Sequence, residues 1–224
     1  MRFPRVGRTE LGRNEAAVRE VLLETEKLQV EDDWPDAIAK RADLVGFKAS
    51  MHRSIGQDAM AGQLYEGLLA SDPENVDLIR QVANTRNTQE DYQGAYDLYM
   101  QALTIAEGNL DYSREDRFFL ALDAARAAQE GELYPECVTA GEKALADAQT
   151  NPQRSSAARL IARSHYELEQ YEEVIVAIEP VLLDGGYDTT SPDGWQLYYL
   201  SLNRVGRVED ATQARERYQA LRGN

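Results

Sequence analysis

Few residues of this 224-residue chain have side chains suited to catalysis or metal binding. The clearest candidates are one cysteine, Cys137, and two histidines, His52 and His165, and they are far apart in the sequence. No two of them have the spacing of a zinc site. Each histidine stands nine residues before an anchor residue of an internal repeat, which favours a packing role. Cys137 is itself an anchor, so we expect a buried, inert thiol.

Two glycine-containing stretches could suggest ligand loops. Residues 7–14, GRTELGRN, lack the lysine and the Ser/Thr of a phosphate-binding loop, and no strand precedes them. Residues 184–193, DGGYDTTSPD, lack the spacing of a calcium loop and fit ordinary turn chemistry. We therefore expect no cofactor, no metal and no enzymatic activity.

The overall charge bears on the class of partner. The chain carries 39 acidic and 24 basic residues, for a net charge of −15. Nucleic-acid binding needs a basic surface, and anionic membranes attract basic segments, so neither partner is expected. One cysteine excludes an internal disulfide. We find no signal-peptide core and no apolar run of about 18 residues. These features predict a cytoplasmic protein without membrane insertion; a periplasmic location stays open if Met1 is not the natural start.

An internal repeat organises the chain. Residues 158–182 show apolar positions at helical spacing on both sides of a turn at Glu169–Gln170, which predicts a pair of short helices. The same pattern returns around a small or modest anchor residue early in each second helix, at intervals of 34, 42, 37 and 37 residues. The anchors are Ala61, Ala95, Cys137, Val174 and Ala211.

This pattern resembles the tetratricopeptide repeat (TPR). In the best copy, residues 79–106, the matching residues are Ala83, Asp91, Tyr92, Ala95, Tyr99, Ala102 and Leu103. In the last copy they are Trp195, Gly206 and Ala211. The resemblance implies an all-α fold, a right-handed α-solenoid of about five TPR-like helix pairs with extra N-terminal helices. We expect an N-terminal extension at 1–42 and a repeat domain at 43–222.

The pattern predicts eleven helices and no strands. Two helices precede or merge into the first repeat, Thr9 to Val30 and Asp33 to about Ser54, with Asp33 as N-cap and Pro35 in the first turn. Pro180 falls inside a predicted helix, where it removes one hydrogen bond and should bend it. The polar final helix, Val208 to Arg222, suits a terminal cap that faces water.

The resemblance also implies a concave groove lined by the first helix of each pair. The groove positions would be Gly46/Ser50, Arg80/Asn84, Leu122/Arg126, Arg159/Arg163 and Gln196/Leu200. Four of these ten residues are arginine and none is acidic, although the whole chain is strongly acidic. Arginine holds a carboxylate through two hydrogen bonds, so we expect an adaptor whose partner is a protein or peptide, possibly an acidic one. The candidate groove residues are Arg80, Asn84, Asn87, Arg126, Gln129, Arg159, Arg163, Tyr166, Asn203 and Arg204.

The sequence also allows three other interpretations, one of which it disfavours. The arginines could pair along their own helices, as Arg126 with Glu130 and Arg163 with Glu167. A carboxylate clamp for chaperone tails is disfavoured, because Asp123, Ser156 and Leu160 replace the residues that such a clamp requires. Alternatively, the N-terminal helix or the ends of the array could make the chain a self-associating scaffold, a possible homo-oligomer. The N-terminal apolar stripe could equally cover the first repeat.

Overall fold

The computed structural model describes residues 15–28, 37–183 and 192–222. Within these ranges the chain forms eleven α-helices and no strand, as predicted. The helices are α1 (Glu15–Glu26), α2 (Ala37–Ser54), α3 (Asp58–Leu69), α4 (Val76–Thr88), α5 (Tyr92–Glu107), α6 (Arg114–Glu130), α7 (Tyr134–Asp147), α8 (Asn151–Glu167), α9 (Tyr171–Leu183), α10 (Pro192–Arg204) and α11 (Val208–Arg222). The predictions on residues 7–14, on Asp33 and Pro35, and on residues 184–191 lie outside the described residues.

The chain divides into two compact units, Met1–Asp91 and Tyr92–Asn224. This boundary lies inside the predicted repeat domain. In the first unit, consecutive helices from α1 to α4 pack on one another. Val18 and Leu22 of α1 are buried against Met51 of α2, so the apolar stripe of α1 is used within the chain.

The predicted first helix is too long at its C-terminal end. Helix α1 ends at Glu26, not at Val30. The amides of Lys27 and Leu28 donate to carbonyls only three residues back, at 3.2 and 3.1 Å. Such bonds tighten the last turn of a helix and end it.

The second unit is built from the seven helices α5 to α11. Each packs on the next, and α8 also contacts α6 and α10, so the first helices of the repeats lie side by side. A buried cluster around Val174, Ile178, Trp195 and Leu202 joins α8 to α11. Helix α9 continues past Pro180, which therefore lies inside a helix, where the sequence placed it.

All five repeat anchors are buried. Ala61, Ala95, Cys137 and Val174 have no exposed surface, and Ala211 is 2% exposed. The Sγ of Cys137 lies 3.9 Å from the carbonyl oxygen of Leu160, and burial raises the pKa of this thiol. The inert-thiol interpretation agrees with this environment, because the thiolate is the reactive form.

The turn inside each helix pair has the same backbone in all five copies. One residue per turn has a positive φ: Gly56 (74°), Glu90 (64°), Glu132 (58°), Glu169 (58°) and Gly206 (82°). In the first copy, the amide of Gln57 donates to the carbonyl of His52 at 2.9 Å, and that of Gly56 to Arg53 at 3.1 Å. These two bonds define the Schellman motif that closes helix C-termini.

In three copies a side-chain pair also bridges this turn. Nδ1 of His52 lies 2.7 Å from Oε1 of Gln57, and His165 makes the same contact with Gln170 at 2.7 Å. An ion pair at 3.1 Å joins Arg86 to Asp91 at the equivalent positions. Each histidine, for which the sequence favours a packing role, therefore also forms a hydrogen bond across its turn.

The described helices show neither a membrane span nor a cluster of metal ligands. None of the helices there is long and apolar enough to cross a bilayer. No group of three or more His, Cys, Asp or Glu side chains there could hold a metal ion.

Candidate functional site

The site lies in the second unit and depends on where α6 and α8 begin. At the start of α6, Ser113 accepts from the amide of Asp116, and the Asp116 carboxylate accepts from Ser113 in return. Thr150 and Gln153 form the same reciprocal pair at the start of α8. Such capping boxes satisfy amides that lack helical partners. They therefore fix the residue at which each of the two helices begins.

Small residues on the buried faces allow these helices to pack closely. In α6, Ala121, Ala124 and Ala125 are at most 1% exposed. In α8, Ala157, Ala158 and Ala162 are fully buried. Since the alanine faces point into the repeat stack, the longer polar side chains of α6 and α8 are left on the opposite, accessible face.

On this accessible face, side chains of α6, α8 and α10 surround a cleft of about 290 Å³. We call it the arginine cleft. Its lining residues are Arg126, Gln129, Ser156, Arg159, Leu160, Arg163, Asp193, Gly194 and Leu197. The structure thus brings four of the ten candidate groove residues together in one concave site, Arg126, Gln129, Arg159 and Arg163.

The charges in the cleft are mainly positive, with three arginines against one aspartate. Arg126 donates to Asp123 at 3.5 Å, and its side chain stays 54% exposed. Arg163 is exposed, and over the described part of the chain it has no ion-pair partner; the pairing with Glu167 considered from the sequence is therefore not formed. Asp123 and Arg126 form a long, exposed contact, and such contacts contribute little to stability.

The remaining six candidates do not line the arginine cleft. Arg80, Asn84 and Asn87 share one face of α4 in the first unit, where Arg80 pairs with Asp77 at 3.2 Å. Tyr166 packs edge-on against Tyr171 at 5.6 Å.

Asn203 and Arg204, at the C-terminal end of α10, contact other residues of the second unit. Asn203 donates to the carbonyl of Tyr199 at 3.0 Å, and the guanidinium of Arg204 lies 5.6 Å from the ring centre of Tyr171. Neither side chain reaches the arginine cleft.

On α8 the cleft is lined by Arg159 and Arg163, both expected groove positions, whereas on α6 and α10 the lining differs in part from the expected positions. Leu122, an expected groove position on α6, is 2% exposed and belongs to the core. On α10 the cleft wall is Asp193, Gly194 and Leu197; Asp193 lies three residues before the expected Gln196, and Leu197 lies three before the expected Leu200. The cleft also contains a carboxylate, which the predicted positions did not.

Two further lining residues carried a signal in the sequence, and a third did not. Ser156 lies three residues before Arg159 and Leu160 three before Arg163, so helical spacing alone puts them on the same face. Asp193 lies in the first turn of α10, and no regular spacing between the repeats predicts that it lines the cleft.

Solved structures share this arrangement of helices. A crystal structure of MamA has a TM-score of 0.67 and 14% identity, and the match covers 82% of this chain and 92% of that one. YrrB, described as a TPR protein with an unusual peptide-binding site, has a TM-score of 0.64 and 13% identity, over 94% of this chain and 95% of that one. A putative kinesin light chain of Podospora anserina with nearly identical TPR-like repeats has a TM-score of 0.59 and 19% identity, over 81% and 95%.

The chain has the tetratricopeptide-repeat fold. The predicted all-α class of paired helices is confirmed by these similarities. No protein-family model matches the sequence, and no curated protein matches it. At identities below one fifth, the likeness of the TPR structures concerns the fold.

Proposed function

We propose that the protein is a non-catalytic adaptor that binds an acidic or carboxylate-bearing segment of a partner protein in the arginine cleft. The single observation that carries the proposal is the convergence of Arg126, Arg159 and Arg163 from two helices on one concave site. The chain as a whole has a net charge of −15, whereas the lining of this cleft, with three arginines and one aspartate, is positive.

The chemistry of arginine suits this role. A guanidinium binds a carboxylate through two parallel hydrogen bonds, and such charge-assisted bonds are stronger than neutral ones. Arg163 has no ion-pair partner among the described residues, so it can receive a ligand carboxylate without first breaking an ion pair. Asp193 on the opposite wall disfavours a uniformly anionic ligand and favours a segment with a donor group on that side.

The peptide-binding site named for YrrB supports binding of a protein segment over a small metabolite. Arg80, Asn84 and Asn87 lie four and three residues apart on α4, so they form one further polar face in the first unit. We assign this face to additional contacts with the same class of partner.

The test uses a fluorescent, end-capped peptide of glutamate and alanine and measures its fluorescence anisotropy at two salt concentrations. We expect saturable binding by the full-length protein that weakens as salt rises, because exposed charge contacts are screened. The double variant Arg126→Glu/Arg163→Glu should bind about tenfold or more weakly, because it loses two charge-assisted contacts.

The matched control is Arg215→Glu/Arg217→Glu on α11, which changes the net charge by the same amount outside the arginine cleft. Circular dichroism first establishes that both variants are as helical as the wild type. Equal loss of binding in both double variants would mean that the peptide senses only net charge, and the proposal would be wrong.

A further inference from the structure

Helix α8 has a second concave surface on the side away from the arginine cleft. Ala158, Ile161 and His165 of α8 lie between α7 and α9 and form the floor of a depression of about 560 Å³. We call this depression the α7–α9 trough. Its volume is within the range of about 300–1,000 Å³ that is typical of ligand sites.

The walls of the trough are apolar and open to solvent. Val176 of α9 is 73% exposed, which is unusual for a valine in the middle of a helix, and Leu145 of α7 faces it across the trough. Pro180 and the buried Val181 continue the apolar wall along α9. An exposed apolar surface of this kind, when polar residues surround it, is typical of interaction sites.

The rim of the trough is negative. Glu142 of α7 and Glu172 and Glu173 of α9 are exposed, and none of the three has an ion-pair partner among the described residues. Arg154 also lines the trough and bonds to the neutral Asn151 at 3.4 Å, and His165 contacts Gln170 at 2.7 Å. Three carboxylates against one arginine leave the lining with a net negative charge, which attracts a ligand with cations around an apolar stripe.

The backbone adds an acceptor at the same wall. Pro180 has no N–H, so the carbonyl of Val176, four residues earlier, lacks its helical donor. Both residues line the trough. A lysine or arginine side chain of a bound segment could donate to this carbonyl, whereas an acidic side chain could not.

We propose that the α7–α9 trough is a second binding site, which takes an amphipathic, basic helical segment of a partner protein. Apolar side chains of the segment pack on Val176 and Leu145, and its flanking lysines or arginines face Glu142, Glu172 and Glu173. A helix laid in a groove is a common mode of peptide recognition. The two faces of α8 therefore select segments of opposite charge, and the second site does not depend on the function proposed for the arginine cleft.

The probe is a fluorescent, acetylated and amidated 14-residue peptide with leucines on one helical face and lysines on the other. A scrambled peptide of equal composition controls for charge alone. The informative variant is Val176→Glu, which places a carboxylate on the apolar wall. Its matched control is Val208→Glu on α11, where a valine that is 62% exposed lies outside the trough.

Binding at the trough predicts that Val176→Glu weakens binding of the amphipathic peptide about tenfold or more, while Val208→Glu changes it less than about twofold. Glu172→Gln/Glu173→Gln should also weaken binding, more than Glu209→Gln/Glu216→Gln does. Non-specific attraction predicts the opposite for Val176→Glu, because the added negative charge would strengthen binding.

Three results would overturn the proposal: stronger or unchanged binding by Val176→Glu, equal binding of the scrambled peptide, or a dimer that Val176→Glu dissociates and the peptide cannot displace. The last result would assign the trough to a second copy of the chain. Arg126→Glu/Arg163→Glu should bind the basic peptide normally, so failure at one site is distinguishable from failure at the other.

Discussion

The turn geometry predicts that one kind of substitution, glycine to alanine, has opposite effects at two positions of the first unit. Gly56 has a φ of 74° in the turn between α2 and α3. Gly67 lies within helix α3. A Cβ added at either position would meet no atom within 4 Å, so steric contact cannot account for a difference.

The expected magnitudes follow from backbone energetics. An L-residue in the left-handed region costs roughly 1–2 kcal/mol. Replacing glycine by alanine recovers roughly 0.5–1 kcal/mol, because the unfolded chain loses conformational freedom. Gly56→Ala should therefore destabilise the protein by about 1 kcal/mol, and Gly67→Ala should stabilise it by about 0.5–1 kcal/mol.

Glu90 supplies the reciprocal test, since it already has a φ of 64° in the equivalent turn. Glu90→Gly should raise the free energy of unfolding by about 0.5 kcal/mol, as relief of backbone strain exceeds the entropy cost of the added glycine.

The assay is urea denaturation followed by circular dichroism, with equal m-values as the condition for comparing midpoints. All three positions lie in the first unit, so they report on the same structure. The reasoning would be refuted if Gly56→Ala and Gly67→Ala shifted the midpoint in the same direction.

Two further predictions concern the second unit. Gly141→Ala should destabilise the protein by about 1–3 kcal/mol in thermal denaturation, because its Cβ would lie 2.6 Å from Cγ1 of buried Ile161. In an Ile161→Ala background, which lacks Cγ1, the same substitution should cost less, and an equal cost in both backgrounds would contradict the assignment. Burial, and then the hydrogen bond that Tyr198 donates to Glu179, raise the pKa of the Tyr198 hydroxyl. Since the folded state favours the neutral phenol, this stabilisation is complete below a pH of about 10 and is lost as pH rises further. Tyr198→Phe should thus lose less stability than the wild type between neutral and strongly alkaline pH, and identical pH profiles would contradict the assignment.

The repeat architecture could be predicted from the sequence because it depends on local spacing. The five anchors are buried, and the final helix has its predicted bounds, Val208–Arg222. Apolar residues at helical spacing and turn residues between them are local signals, and each repeat contains them independently. A residue with positive φ also recurs in all five turns, although in three of them it is a glutamate and not the glycine that usually indicates this conformation.

The residues that line the arginine cleft could be predicted from the sequence on one wall but not on the other. Arg159 and Arg163 line one cleft, and their spacing of four residues on α8 was enough to expect them on one face of the helix. The opposite wall is formed by Asp193 and Leu197 and not by the expected Gln196 and Leu200, because the rotation of α10 relative to α8 depends on how the two helices pack.

The sequence by itself determined the paired helices, their buried anchors and the arginine stripe on α8, since each follows from the helical period. Tertiary structure alone decided that Arg204 stacks on Tyr171, that Leu122 enters the core, and that Val176 stays exposed above a trough with an acidic rim. These outcomes depend on the distance and rotation between neighbouring helices. Those quantities are set by the packing of small residues such as Gly141 against Ile161, between positions that are distant in the sequence.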